Sequence, residues 1–397
     1  SLLYNWQEEI KRFAPIIKTT IITGSQEERK TLLNENADIY ITSYDLLKRD
    51  ILNYHDLHFT HQIIDEAQYI KNAKAAVSKA VKVIDAKIKF ALTGTPIENR
   101  LSELWSIFDY VLPGYLGNYE YFKNHYESAI LKEDKETKEE LKMLISPFIK
   151  RRKKSEVLKE LPLKIEEYRY AHFKDDQQKL YDAEAVKIKK MINSDDASKE
   201  KIKILAELTK IREICCDPKL LFDNYFGESA KKEVCLDLID SAIAGGHKIL
   251  LFSQFTSMLE LLEIELKQRD IKYYKITGAT KKEDRLELVK TFNSDDTPLF
   301  LISLKAGGTG LNLVGADVVI HYDPWWNLAA ENQAIDRAHR IGQKRNVNVY
   351  RLIVQNTIEE KIVKMQKYKK EMADTMLEET GTSLSTLSEK ELIALFS

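Results

Sequence analysis

The 397 residues are 44% hydrophobic and 31% charged, enough for two or three domains with real cores. The 61 Lys and Arg are matched by 62 Asp and Glu, a formal net charge of -1, which excludes a uniformly basic DNA coat but not a local basic groove. Three cysteines with no Cys-x-x-Cys pair give no disulfide framework and point to a reduced, intracellular protein; no apolar run is long enough to span a bilayer.

In chain order, helical spacing predicts a helix over 2–13, with Leu2, Leu3, Trp6, Ile10 and Phe13 on one side. Strands over 16–23 and 37–42 follow, separated by a polar helix over 25–34, and a further helix starts near Ser43. A strand over 60–65, a helix over 73–84 and a strand over 87–92 complete the first block. Such alternation implies a parallel sheet with helices on both faces. From 98 to about 193 helices dominate (101–112, 119–131, 135–145, 177–192), interrupted by one strand over 165–172. After a polar break at 194–198 and a helix over 199–214 that Pro218 closes, alternation resumes at 231. Strands are expected at 248–253, 272–277, 298–303, 318–322 and 347–354, with helices at 232–244, 257–268, 281–292, 358–378 and 389–395. No internal repeat is visible. The pattern is α/β: two blocks with helical material between them, as in two lobes facing across a cleft.

Chemistry concentrates at Gln62-Ile-Ile-Asp65-Glu66-Ala67-Gln68, where an apolar run stops at two adjacent carboxylates. A buried parallel strand looks like this when its C-terminal tip enters a site. One carboxylate can hold Mg²⁺ and the next can orient or deprotonate water. A helix start with acids at its positive end gives the same local pattern. Gln333, Arg337 and Arg340 are spaced i, i+4, i+7, so a helix would put them on one face. Strand 300–303 runs into Lys305-Ala-Gly-Gly-Thr-Gly310, a strand tip and Gly-rich turn able to hold an anion. The run Lys150-Arg-Arg-Lys-Lys154 suits a solvated face, phosphate contact or docking on an acidic surface. Trp325 and Trp326 either stack on a base or pack. His55, His58 and His61 have no Cys or carboxylate cluster beside them, which weighs against zinc, and Cys215-Cys216 reads as buried thiols.

Taken in order, Ser1-Leu-Leu-Tyr-Asn-Trp6, Ile41-Thr-Ser-Tyr44, Asp65-Glu-Ala-Gln68, Leu92-Thr-Gly-Thr-Pro-Ile-Glu-Asn99, Ser146-Pro-Phe-Ile-Lys-Arg-Arg152, Leu250-Leu-Phe-Ser-Gln-Phe255, Lys305-Ala-Gly-Gly-Thr-Gly-Leu-Asn312, Asp323-Pro-Trp-Trp-Asn327 and Gln333-Ala-Ile-Asp-Arg-Ala-His-Arg-Ile-Gly-Gln343 span nearly the whole chain. This series resembles the SWI/SNF family of superfamily 2 helicase-like ATPases. One departure is Leu328, where the family usually has Pro.

The resemblance implies two RecA-like parallel-sheet lobes with helical insertions between them. Residues 1–112 would be a partial first lobe and 113–230 the insertions, one first-lobe strand and a linker. Residues 231–378 would be the second lobe and 379–397 a tail helix. It implies an ATP- and Mg²⁺-dependent translocase on double-stranded DNA, a monomer without membrane attachment, that remodels or displaces DNA-bound proteins. The setting would be the nucleoid-associated cytoplasm in a bacterium or archaeon, or the nucleus in a eukaryote. Asp65 would hold the metal and Glu66 the attacking water. Gln68, Gly308, Gly310 and Gln333 would contact nucleotide, and Arg337 and Arg340 would reach the γ-phosphate. Thr42, Ser43, Tyr44, Gln254, Ser303, Lys305 and Thr309 would touch DNA, while Thr93 and Thr95 couple nucleotide to lobe movement. The alternatives are a strand-separating DNA or RNA helicase and a non-hydrolysing DNA-binding scaffold. No Gly-x-x-x-x-Gly-Lys-Ser/Thr loop occurs in the sequence, and the chain starts at Ser1. The expectation is a piece of a longer ATPase, truncated in its first lobe and poor at ATP turnover by itself.

Overall fold

The computed structural model describes residues 2–94, 101–130, 132, 134–152, 154–193, 201–307 and 310–377. It divides into two units, built mainly of Ser1–Lys153 and of Lys154–Tyr368, with the end of the last helix, from Lys369, counted in the first.

In the first unit, the strands β1 (Thr19–Ile21), β2 (Ile39–Ile41), β3 (Phe59–Ile64) and β4 (Ala86–Ala91) form two parallel pairs, β1 with β2 and β3 with β4. Helix Leu2–Phe13 precedes β1, and helices Gln26–Leu33, Tyr44–Arg49 and Ala76–Val83 lie between successive strands. Ser25 caps its helix in a reciprocal box with Glu28. One apolar cluster ties both pairs together through Ile22, Leu33, Leu47, Ile64, Ile70 and Val81. A second holds helices Leu101–Val111 and Lys135–Ile145 through Leu104, Trp105, Phe108, Phe122 and Leu141.

The second unit is built on six parallel strands: β5 (Lys164–Ala171), β6 (Ile249–Ser253), β7 (Tyr273–Ile276), β8 (Leu299–Ser303), β9 (Val318–His321) and β10 (Val347–Val354). Their order is β5-β10-β9-β6-β8-β7. The middle strands β6, β8 and β9 are buried at every position, as their unbroken apolar sequences require for a sheet covered on both faces.

The expected placement of strand 165–172 in the first lobe, and of a second lobe beginning at 231, is corrected here. β5 pairs along its whole length with β10, from Lys164 opposite Val347 to Ala171 opposite Val354. The Glu166 carboxylate pairs with Arg351, which also binds Glu331 at 3.1 Å. Helix Lys201–Cys216 joins the same core through Cys216.

His321, at the end of β9, is buried and stacks on Phe252 with ring centroids 5.5 Å apart. Burial, with Arg351 adding repulsion, holds its pKa down to about 3. The unfolded imidazole takes a proton near pH 6.5, whereas the folded one stays neutral until about 3. Stability carried by His321 is therefore complete above pH 6.5 and lost as pH falls toward 3. Between pH 8 and 5 the wild type should lose about 2 kcal/mol that His321→Phe keeps, measured as the difference between their urea unfolding curves.

Candidate ATPase and DNA-contact residues

In a parallel α/β sheet, ligand-binding residues gather at the carboxyl ends of strands. In the first unit Tyr44, Asp65 and Thr93 follow the ends of β2, β3 and β4, and β3 and β4 lie side by side with Ile64 opposite Ala91. The chain turns sharply at Glu66, which has φ +50°, a left-handed conformation unusual for a residue with a side chain. Three contacts hold it. The Glu66 N–H donates to Asp65 Oδ1 (2.8 Å), the Ala67 N–H to the Leu92 carbonyl (2.9 Å), and Gln68 Nε2 to Glu66 Oε2 (2.6 Å).

Thr93 donates its hydroxyl to Gln68 Oε1 at 2.8 Å. A chain of hydrogen bonds thus runs from the Glu66 carboxylate through Gln68 to the tip of the neighbouring strand. Thr95 lies outside the described residues. The other Asp65 oxygen, Oδ2, accepts from the Trp6 indole at 2.9 Å.

Among the described residues no group of three or more His, Cys, Asp or Glu is placed to hold a metal ion. His58 pairs with Asp85 (2.5 Å), His55 with Asp56 (3.1 Å) and His61 with Thr60 (3.1 Å).

The proposed DNA contacts Thr42, Ser43 and Tyr44 all have hydroxyls engaged within the unit. Thr42 donates to the Ile22 carbonyl (3.4 Å), Ser43 caps helix Tyr44–Arg49 by accepting from the Leu46 N–H, and Tyr44 donates to the Asp65 carbonyl (2.7 Å). Burial and then the Asp65 charge push the Tyr44 phenol well above its ordinary pKa, so it remains a donor.

In the second unit, Ser253 ends β6 with Gln254 after it, Ser303 ends β8, and Asp323 follows β9. Asp323 accepts from the Ser253 hydroxyl (2.5 Å) and the Gln254 N–H (3.2 Å). It is buried, which raises its pKa to about 6, with Arg212 and Ser253 opposing.

Arg212 is a residue the sequence reading missed. It is 3% exposed, donates to Gln254 Oε1 (3.2 Å) and the Pro324 carbonyl (2.6 Å), and lies 5.4–5.8 Å from the Phe255, Trp325 and Trp326 rings. Both tryptophans thus pack around a buried guanidinium. Its helix offered no motif; the Trp-Trp pair after β9 was the one available signal. Ser303 is buried and Lys305 exposed, Gly310 adopts φ +58°, and Gly308 and Thr309 lie outside the described residues.

Gln333, Arg337 and Arg340 do not share a helix face, correcting the expectation from their spacing. Helix Leu328–Ile335 ends before Arg337, and tight turns follow, with N–H donation from Arg337 to Ala334, Ala338 to Ile335 and Arg340 to Ala338. Donors outside the turn capture the carbonyls that a longer helix would need. The Leu313 N–H binds the Arg337 carbonyl (3.0 Å), and Gln343 Nε2 binds that of Ala338 (3.3 Å) while also reaching Ala316 (2.7 Å).

Among the described residues no helix is long and apolar enough to cross a membrane. The SNF2-related domain profile matches residues 1–220, and that of the helicase conserved C-terminal domain matches residues 230–342. The boundary between these matches differs from the structural division after Lys153.

An uncharacterized ATP-dependent helicase of Mycoplasma genitalium is 41% identical over the whole chain, and the ISWI chromatin-remodeling complex ATPase ISW1 of Saccharomyces cerevisiae is 33% identical over 98% of it. The chain spans 38% and 36% of those two proteins. The Sulfolobus solfataricus SWI2/SNF2 ATPase core in complex with dsDNA is 36% identical, with 95% of this chain and 80% of that one covered and a TM-score of 0.48. With more than half its length matched by the SNF2-related profile, this chain belongs to the SNF2-related family.

Proposed function

We propose that the chain carries motor residues of an ATP-dependent translocase that moves on double-stranded DNA and displaces or remodels proteins bound there. The Asp65–Glu66 pair at the tip of β3, wired through Gln68 to Thr93, is the observation that carries this reading. In it, Asp65 would hold Mg²⁺, and Glu66 orients the attacking water. The ion would supply charge neutralisation on the phosphates. The Gln68–Thr93 bond passes the state of Glu66 to the adjoining strand. Gln333 and Gly310 belong to the nucleotide contacts. Arg337 and Arg340 offset negative charge on the transferred group, work that suits guanidinium because it stays ionised and binds oxygens in a fork.

DNA is gripped mainly through phosphates, with Lys305 the exposed cation among the proposed contacts. Affinity should fall steeply with salt and vary little with sequence. The name of the yeast relative, a chromatin-remodeling ATPase, supports a target that sits on DNA.

The test uses the intact gene product. Duplex-stimulated ATP hydrolysis with displacement of a triplex-forming strand, and no unwinding of a forked duplex, is the expected result. Unwinding of the fork would identify a strand-separating helicase. Duplex binding without ATP turnover would identify a scaffold.

A further inference from the structure

We propose that Lys154 and His339 form a latch that positions the turn bearing Arg337 and Arg340; this rests on the role given to those arginines above. Lys154 closes the basic run 150–154 and is the first residue of the second unit. Its ammonium does not lie idle on a charged face. It pairs with the Asp336 carboxylate at 2.7 Å and donates to the His339 carbonyl.

A third bond closes the arrangement. His339 Nε2 lies 2.8 Å from the Pro162 carbonyl. A carbonyl only accepts, so Nε2 carries the proton and donates. Residues 154–162 are thus fastened at three points to a turn that lies 177–185 positions further along the chain.

The arginine turn has no regular helix to stiffen it, because helix Leu328–Ile335 has already ended. Its shape depends on what captures its carbonyls. Lys154 and Leu313 do so from earlier in the chain and Gln343 from just after the turn. Lys154 and Asp336 are 34% and 51% exposed, so their pairing adds little to folding. Its consequence is geometric: a guanidinium displaced by about 1 Å loses much of its effect on a transition state. Lys154 is accordingly a positioning residue, and its charge is spent on this chain and not on DNA.

The experiment measures duplex-stimulated ATP hydrolysis by the intact gene product carrying Lys154→Ala, Lys154→Arg, Asp336→Ala or the Lys154→Ala/Asp336→Ala pair. Lys154→Ala should lower kcat by about 10- to 100-fold. KM for ATP, duplex affinity and the salt dependence of that affinity should stay unchanged. Lys154→Arg, which keeps both donors, should recover most of the loss, and the double variant should be no slower than Lys154→Ala alone.

An unchanged kcat in Lys154→Ala overturns the latch. So does a loss confined to duplex affinity and its salt dependence, which would make Lys154 a phosphate contact. Additive losses in the double variant also contradict it. If Lys154→Ala melts early, the Lys154→Arg and Asp336→Ala variants carry the same kcat test. Arg337→Ala and Arg340→Ala serve as references. If they turn over normally, the arginine role fails and the latch with it; if they fail while Lys154→Ala does not, the latch alone is wrong.

Discussion

Glu66→Gln in the intact gene product should lower duplex-stimulated ATP turnover by about 10²- to 10⁴-fold, the range for losing a positioned carboxylate, while duplex affinity changes less than twofold. The reason lies in how Glu66 is held. A non-glycine residue at φ +50° persists because its neighbours over-determine it: the Asp65 carboxylate and the Leu92 carbonyl hold the peptides on either side of Glu66, and the Gln68 amide holds its side chain. Gln fills the same volume, so the turn should survive and the fold with it. What disappears is the negative charge proposed to orient water, while the amide oxygen left behind can still accept from Gln68. Gln68→Ala should leave Glu66 charged but release it from Thr93, with a smaller loss in turnover than Glu66→Gln. Steady-state hydrolysis measured with and without duplex separates the two. Equal activity of wild type and Glu66→Gln would remove Glu66 from the chemistry.

The second large effect concerns stability. Lys231 and Glu359 are both fully buried and bind each other through both carboxylate oxygens. Glu359 Oε2 also accepts the Val354 N–H at 3.0 Å, and the ammonium sits 5.7 Å from the Tyr322 ring. Burial alone would lower the Lys231 pKa, but Glu359 outweighs it and holds the ammonium above its ordinary range.

Removing one partner leaves an uncompensated charge in the core, so Lys231→Ala should cost about 3–5 kcal/mol. The pair Lys231→Met with Glu359→Leu should cost far less, because two charges leave together and similar volume returns. Urea unfolding of the three proteins tests this. A double variant as unstable as Lys231→Ala would show that packing between helices Ala230–Ala244 and Ile358–Leu377, and not charge, sets the cost.

The elements at these positions were legible in the sequence where local chemistry decides them. The strand expected at 60–65 is Phe59–Ile64, and that expected at 87–92 is Ala86–Ala91. Strands β6, β8 and β9 were equally visible, because burial on both faces writes an unbroken apolar run.

What escaped is non-local. Nothing within 165–172 says that this strand adds to β10, since the partner lies about 180 residues away. The spacing of Gln333, Arg337 and Arg340 fits a helix, yet helix length there is decided by Leu313, Gln343 and Lys154, all outside the segment. Arg212's own helix gave no sign because its role comes from the rings that the fold gathers around it. The positive φ of Glu66 was invisible too, since composition reports side chains and not the turn that aims them.

The most direct test of the account follows displacement of a triplex-forming strand from duplex DNA by the intact gene product and two double variants. One carries Asp65→Asn with Glu66→Gln, and the other Arg337→Ala with Arg340→Ala. The account predicts ATP-dependent displacement by the wild type and none by either variant, with duplex binding retained by all three. Displacement at the wild-type rate by either variant would contradict it.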